Sequence, residues 1–300
     1  MDASNVKIVG VVGAGQMGAG IAQIAASAGM DVLLADTSIE VATRAKEGIA
    51  KQLAKLVAKG KLDAAASEAT LARIRPLGET RELEPADFVV EAATENTELK
   101  IRILKSIDAS LRPEAVLATN TSSISITRLA AATQRPSAFI GMHFMNPVPL
   151  MKLVEVVRGV STSSATLALT QGLAARLGKT VITSNDHPGF LVNRILIPFL
   201  NEACFTVQEG AGTMEDVDRG ARLGLNHPMG PFELADLIGL DTVLAIAEVL
   251  HRELGDPKYR PATNLKNLVA AGWLGKKTRR GFYEYDESGQ RTASATGDAR

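Results

Sequence analysis

Short aliphatic runs alternate with longer amphipathic stretches through roughly the first 183 residues of the chain. Val6–Val12, Val32–Ala35, Phe88–Glu91, Val116–Thr119, Phe139–His143, Lys152–Val157 and Thr180–Thr183 read as strands. Helical patterns lie between the first five of these runs: Met17–Gly29, a long one from about Ile39 to Lys59, Thr97–Leu111 and Ile124–Ala131. Alternation of helices with aliphatic strands predicts an α/β fold with a parallel, doubly wound sheet. After the Asn, Asp, Pro and Gly cluster near Ser184–Pro188 the patterns become helical only: Leu191–Glu209, Met214–Leu223, Pro231–Leu254 and Asn264–Ala271. Two domains are therefore expected, residues 1–184 and 185–300, with an interdomain cleft and a helical dimer interface both open. The closing stretch "ESGQRTASATGDAR" is small and polar, and is expected to be mobile.

Three hundred residues suffice for two domains that each bury a core. Charged residues make up 22% and the formal net charge is zero, so nothing suggests a nucleic-acid binder. The single cysteine, Cys204, excludes an intrachain disulfide and a cysteine-rich zinc site, and its apolar helical setting reads as a packed thiol. No HExxH or similar spacing points to a metal. The apolar opening run is too short for a signal segment or a membrane span, so a cytoplasmic protein is expected.

Candidate chemistry begins with Gly13-Ala-Gly15-Gln16-Met17-Gly18, which follows a strand and opens a helix. The first glycine permits a tight turn, the second lets a pyrophosphate approach the backbone, and the third allows close packing of helix on strand. The helix start adds unpaired N–H groups and a partial positive charge. Asp36 ends the second strand eighteen residues after Gly18, placed to bond a ribose 2′-hydroxyl and to repel a 2′-phosphate. This predicts a Rossmann-like site for NAD in the first domain; the plainer reading of Asp36 is a cap for the helix near Ile39.

Further polar residues collect where strands end, the edge at which such folds bind ligands. Glu91 and Glu95 in "VVEAATENTELK" face that edge, or else Glu95 and Glu98 complement a helix dipole. In "TNTSSIS", Ser122 or Ser123 caps the next helix, leaving another hydroxyl for a ligand. Asn193 lies early in an apolar helix just past the domain break, either satisfied at the helix start or reaching into the cleft, and Lys51, Lys55 and Lys59 share one helix face, either solvated or anion-binding. In "HFMNPVPLMKLVEVV", Pro147 and Pro149 exclude a helix and predict an extended link between two strands. His143 and Glu155 then stand at comparable heights. Glu155, set among valines, needs a partner: Lys152 or Arg158, or His143 as a general base oriented by the carboxylate.

The motifs "GAGQMGAGIAQ", "EAATENTELK", "NTSSISI", "GMHFMNPVPLMKLVEVV", "HPGFLVNRILIPFLNEA", "GLNHPMGPFELADLIGLD" and "GKKT" follow one another in this order. From about Lys7 to Tyr285 the chain resembles the L-3-hydroxyacyl-CoA dehydrogenase family, and its bacterial 3-hydroxybutyryl-CoA branch most of all. The resemblance implies reversible oxidation of a (3S)-3-hydroxyacyl-CoA by NAD. It assigns His143 as base and Glu155 as its orienting partner, and gives Ser122 and Asn193 contacts with the reacting end of the substrate. It carries cofactor roles to Asp36, Glu95 and Lys100, and makes Lys59, with Lys51 or Lys55, a contact for the CoA phosphates. It implies a homodimer formed through the helical domain. A free β-hydroxyacid dehydrogenase and a non-catalytic NAD(H)-binding protein are the alternatives. One departure is Arg279, in "KKTRRGFYEY", where the family turn carries glycine; if that position has φ > 0, arginine costs about 1–2 kcal/mol.

Overall fold

The structure is a computed structural model that describes residues 2–292. Residues up to Phe190 form one compact unit and those from Leu191 a second. In the first, β1 (Ile8–Val12), β2 (Asp31–Ala35), β3 (Ile74–Leu77), β4 (Phe88–Glu91), β5 (Val116–Thr119), β6 (Phe139–Phe144), β7 (Leu153–Arg158) and β8 (Thr180–Asn185) build one sheet. The order is β3-β2-β1-β4-β5-β6-β7-β8. Neighbours run parallel except β6 and β7, which are antiparallel. The order reverses between β1 and β4, and a sheet of this kind opens its ligand crevice there, at the carboxyl edge.

Helices α1 (Gln16–Ser27), α2 (Ile39–Ala58), α4 (Thr97–Ser110) and α5 (Ile126–Ala130) arise where the pattern predicts them. Three elements of this unit do not follow from it. β3 reads "IRPL", and Pro76 is tolerated because β3 is the edge strand. α3 (Ala64–Ala72) and α6 (Ser164–Arg176) are rich in Ala, Ser and Thr and mix these residues into their buried faces. Caps start both: Asp63 accepts from the Ala65 and Ala66 amides, and Ser163 from the Thr166 amide. In α6 the buried threonines satisfy their hydroxyls on carbonyls, Thr166 on Ser137 and Thr170 on Thr166. Alternate strand residues then pack opposite layers. Val9, Val11, Val32 and Leu34 meet α1, α2 and α6, whereas Val12, Leu33, Val89 and Leu117 meet α4 and α5.

The composition change predicts a break at residue 184, but Asp186 and Phe190 belong to the first unit. Asp186 accepts from the Ser125 hydroxyl and from the Ile126 and Thr127 amides, and Phe190 packs in the core beside Ile126. The second unit holds α7 (Val192–Gln208), α8 (Met214–Gly224), α9 (Pro231–Ile238), α10 (Leu240–Leu254) and α11 (Thr263–Ala270). The single helix expected over Pro231–Leu254 is two. Gly239 sits at φ 102°, outside any helix, although the apolar pattern runs on through it. Cys204 is buried in this core, and burial pushes its thiol up to about 12, as suits a packed side chain.

Two buried carboxylates tie the end of the described chain to these helices. Asp218 accepts from the Phe232 and Glu233 amides and the Tyr283 hydroxyl, and Asp236 from the Phe282 and Tyr283 amides and the Tyr285 hydroxyl. Arg279 does adopt the left-handed conformation, at φ 60°. The stretch from Glu287 that is expected to be mobile turns back as far as Thr292, whose amide donates to the Glu284 carbonyl. Its remainder, 293–300, lies outside the described residues.

Candidate active site

The carboxyl edge of β1 carries the glycine loop. Gly13 sits at φ 98°, and a Cβ there would lie 2.7 Å from the Ala92 backbone, so the loops after β1 and β4 touch. A Cβ on Gly18 would collide with the Gly13 carbonyl oxygen. At Gly15 a Cβ would meet nothing within 4 Å. That open space faces the start of α1, which has no side-chain cap, so the N–H groups around Gln16 and Met17 remain available to an anion. A dinucleotide pyrophosphate fits this cradle. Asp36 does not cap α2; Ser38 occupies the cap position. Its carboxylate holds the glycine loop instead, accepting from the Ala14 amide at 2.6 Å and from the Thr37 amide and hydroxyl. A carboxylate offers about four acceptor sites, which leaves room for a ribose hydroxyl as well.

At the ends of β4 and β5 the three glutamates of "VVEAATENTELK" separate. Glu98 lies in the first turn of α4 and is exposed. Glu95 precedes the helix and reaches across to the next loop: it accepts from the Thr121 hydroxyl (2.7 Å), the Ser122 amide (2.7 Å) and the Ser122 hydroxyl (3.1 Å). Glu91 is fully buried and accepts from Lys100 Nζ at 2.6 and 2.9 Å, from the Thr119 hydroxyl at 2.6 Å and from the Ala93 amide. Lys100 is only 1% exposed and supports the strand ends from beneath the edge through Glu91. This network escapes a reading of the sequence because β4 and β5 bring Glu91 and Thr119 side by side only in the sheet. The strand-ending charge of Glu91 in "FVVE" is the one local signal. The expected cap at Ser122 or Ser123 is also displaced: Ser125 caps α5, accepting from the Arg128 amide. Ser122 bonds instead to Glu95 at the edge.

His143 and Glu155 are register partners on β6 and β7. Imidazole Nδ1 lies 3.1 Å from Glu155 Oε2, with the residues 7% and 0% exposed. An ionised carboxylate only accepts, so Nδ1 carries the proton and Nε2 is the basic nitrogen. Arg158, one of the plainer partners for Glu155, donates to the Thr162 carbonyl instead. The Phe190 ring meets the imidazole edge-on at 6.0 Å. The link between the strands is a tight turn, not the extended segment that the prolines suggest: the Leu150 and Met151 amides both donate to the Pro147 carbonyl. Antiparallel neighbours require the chain to reverse, and an extended link cannot do that. Lys179 Nζ donates to the Val148 and Met151 carbonyls of the turn, and burial lowers the proton affinity of this amine. Val148 packs on α1 at Gly20, where a Cβ would come within 2.7 Å of its own Cβ.

Two further groups were expected from the sequence. Asn193 is 7% exposed on the first turn of α7, in the second unit. Lys51, Lys55 and Lys59 are all exposed along α2 and at its end.

Residues 8–187 match the model of the 3-hydroxyacyl-CoA dehydrogenase NAD-binding domain, and residues 189–285 that of the C-terminal domain of the same enzymes. The 3-hydroxybutyryl-CoA dehydrogenase of Bradyrhizobium diazoefficiens is 53% identical over 286 residues, covering 94% of this chain and 97% of the relative. A probable 3-hydroxybutyryl-CoA dehydrogenase of Bacillus subtilis is 50% identical over 282 residues, covering 94% and 98%. Among solved structures, the (S)-3-hydroxybutyryl-CoA dehydrogenase of Ralstonia eutropha superposes with a TM-score of 0.92 at 50% identity, covering 94% of this chain and all of that one. With both domain models matched in order and a dinucleotide cradle at the sheet's switch point, this chain belongs to the NAD-dependent 3-hydroxyacyl-CoA dehydrogenase family.

Proposed function

We propose that the chain interconverts a short (3S)-3-hydroxyacyl-CoA, 3-hydroxybutyryl-CoA foremost, and its 3-oxoacyl-CoA, with His143 as general base. The observation that carries this reading is the buried 3.1 Å contact of His143 with Glu155 at the ligand edge of the sheet. The short acyl chain rests on the names of the relatives. Gly13, Gly15, Gln16, Met17 and Gly18 cradle the pyrophosphate. Asp36 takes the adenosine ribose and disfavours a 2′-phosphate by charge. Glu95 and Ser122 line the nicotinamide end, with Lys100 acting from beneath through Glu91. Bound there, NAD supplies the hydride acceptor.

The chain's own groups handle the proton. As hydride leaves C3 of the substrate, His143 Nε2 accepts the 3-hydroxyl proton, and the carboxylate of Glu155 stabilises the imidazolium through Nδ1–H. Ser122 and Asn193 orient the reacting oxygen and the thioester. Lys51, Lys55 and Lys59 hold the CoA phosphates. In the reverse direction the same imidazolium returns the proton to the oxygen at C3. The helical second unit, with Ile195, Leu223 and Leu225 exposed, supports a homodimer through that unit.

His143→Gln tests the reading in an assay of NADH consumption with acetoacetyl-CoA. Turnover is expected to fall by about 10²–10⁴-fold, the usual share of general acid–base catalysis, while the Kd for NADH stays near that of the parent. Equal losses of turnover and NADH binding would refute the assignment. Tight NADH binding without turnover in the unaltered protein would favour a non-catalytic binding protein.

A further inference from the structure

The central parallel strands β1, β4 and β5 end in a regular way. The residue after β1, β4 and β5 donates its amide to the last carbonyl of a neighbour: Gly13 to Ala35 (2.9 Å), Ala92 to Val12 (2.7 Å) and Asn120 to Glu91 (2.7 Å). β6 departs from this rule. Its pairing with β5 stops at Thr119 opposite Gly141, yet the strand continues through Met142 and His143 to Phe144. That last stretch of β6 has no register partner in β5. The rung is completed by a side chain: the Phe144 amide donates to Asn120 Oδ1 at 2.9 Å.

We infer that Asn120 is a positioning residue for His143, acting through the main chain of β6. This rests on reading His143 as the base. On one side the His143 segment pairs with β7, which brings Glu155 opposite the imidazole. On the other, past the end of β5, the Asn120 side chain supplies the hydrogen bond at the adjoining residue. Asn120 is itself anchored, because its own amide is bonded to Glu91, whose carboxylate is locked by Lys100 and Thr119. A rigid line of bonds therefore runs from the core beneath the cofactor loops to the backbone beside the base. Without Oδ1 the Phe144 amide loses its acceptor and seeks another, and the ring moves with it. A displacement of 1 Å at a catalytic group costs on the order of 10²-fold in rate.

The test compares Asn120→Ala, Asn120→Asp and His143→Gln, and the double variant Asn120→Ala/His143→Gln, by turnover with acetoacetyl-CoA and by NADH titration. Asn120→Ala is expected to lower kcat by about 10- to 100-fold, with the Kd for NADH changed less than about twofold. Asn120→Asp, which keeps an oxygen at the Phe144 amide, should retain kcat within about fivefold. Adding Asn120→Ala to His143→Gln should cost less than about twofold more, because a group that acts only through His143 has nothing left to position. Equal fold losses in the two backgrounds would overturn the inference, as would parent-like turnover of Asn120→Ala. A loss in Asn120→Asp as large as in Asn120→Ala would do so too. Parent-like turnover of His143→Gln would instead defeat the base assignment itself. If Asn120→Ala does not fold, Asn120→Ser replaces it, its hydroxyl being too short to reach the amide, with the same outcomes decisive.

Discussion

Replacing Glu155 by Gln changes charge while nearly preserving shape, and so isolates what the carboxylate does for the imidazole. In Glu155→Gln the new side chain would present an amide oxygen to His143 Nδ1, 3.1 Å from the carboxylate in the parent. The neutral imidazole would keep its tautomer and, in the oxidation direction, the ground state would change little. The imidazolium formed on proton transfer would lose its counter-charge. Charge-assisted hydrogen bonds contribute about 1.5–3 kcal/mol against about 1 for a neutral one, so mid-range values put the lower estimate of the loss at about 1 kcal/mol. Coulomb attraction at about 4 Å and an effective dielectric constant of about 20 is about 4 kcal/mol, which bounds it from above. At about 1.4 kcal/mol per decade, kcat/KM should fall between about fivefold and about 10³-fold. The equilibrium constant is unaffected by the protein, so with cofactor binding unchanged the loss must be the same in both directions. NADH absorbance with acetoacetyl-CoA, and then with 3-hydroxybutyryl-CoA and NAD, measures both. Turnover within about twofold of the parent, or a loss confined to one direction while NAD and NADH bind normally, would refute the assigned role.

Two further outcomes bear on buried charges. Lys100→Met strands the fully buried Glu91 carboxylate and should destabilise the first unit by about 3–5 kcal/mol, whereas Glu91→Gln/Lys100→Met should recover most of this in urea unfolding; a double variant no better than the single one would refute the pairing. Asp236 has its proton affinity raised by burial, despite three hydrogen bonds, so the folded state holds that proton to higher pH than the unfolded state does. This part of the stability is present below the ordinary aspartate range and fades as pH rises through the raised value. The cost of Asp236→Asn should accordingly shrink from about pH 4 towards neutrality, as read by denaturant titration at several pH values; a cost that grows with pH would contradict it.

Most of the scaffold was legible because strand and helix declare themselves by local period. Seven of the eight strands lie where the aliphatic runs predict, and the one not foreseen, β3, has Arg75 and Pro76 breaking its run. Helices α3 and α6 were hidden because Ser67 and Thr70 in the first, and Thr166 and Thr170 beside Leu169 and Leu173 in the second, take buried positions that periodicity does not count as core. The split at Gly239 was hidden because hydrophobic spacing says nothing of φ. In the candidate site, the His143 and Glu155 pairing could be argued from a charge inside a valine run. The reversal between their strands could not, since prolines suit extended and turned chain alike. For Lys100 the motif suggests a place near the cofactor, whereas the bond of its buried ammonium to Glu91 is visible only in the fold. The Asn120 rung depends on where β5 stops relative to β6, a property of the register that neither strand contains alone.

The antiparallel pairing of β6 with β7 has a consequence for what this enzyme can tolerate. Surface turns usually absorb insertions and deletions. Here the segment between Met145 and Lys152 works as a ruler. A β-strand alternates its faces with a period of two, so removing or adding one residue without a compensating bulge would present a valine, Val154 or Val156, opposite His143 and turn Glu155 to the other layer. Substitutions in the turn leave that count intact, and Leu150 and Met151 are already exposed. The pairing of His143 with Glu155 thus constrains the length of this turn more tightly than the identity of most residues in it.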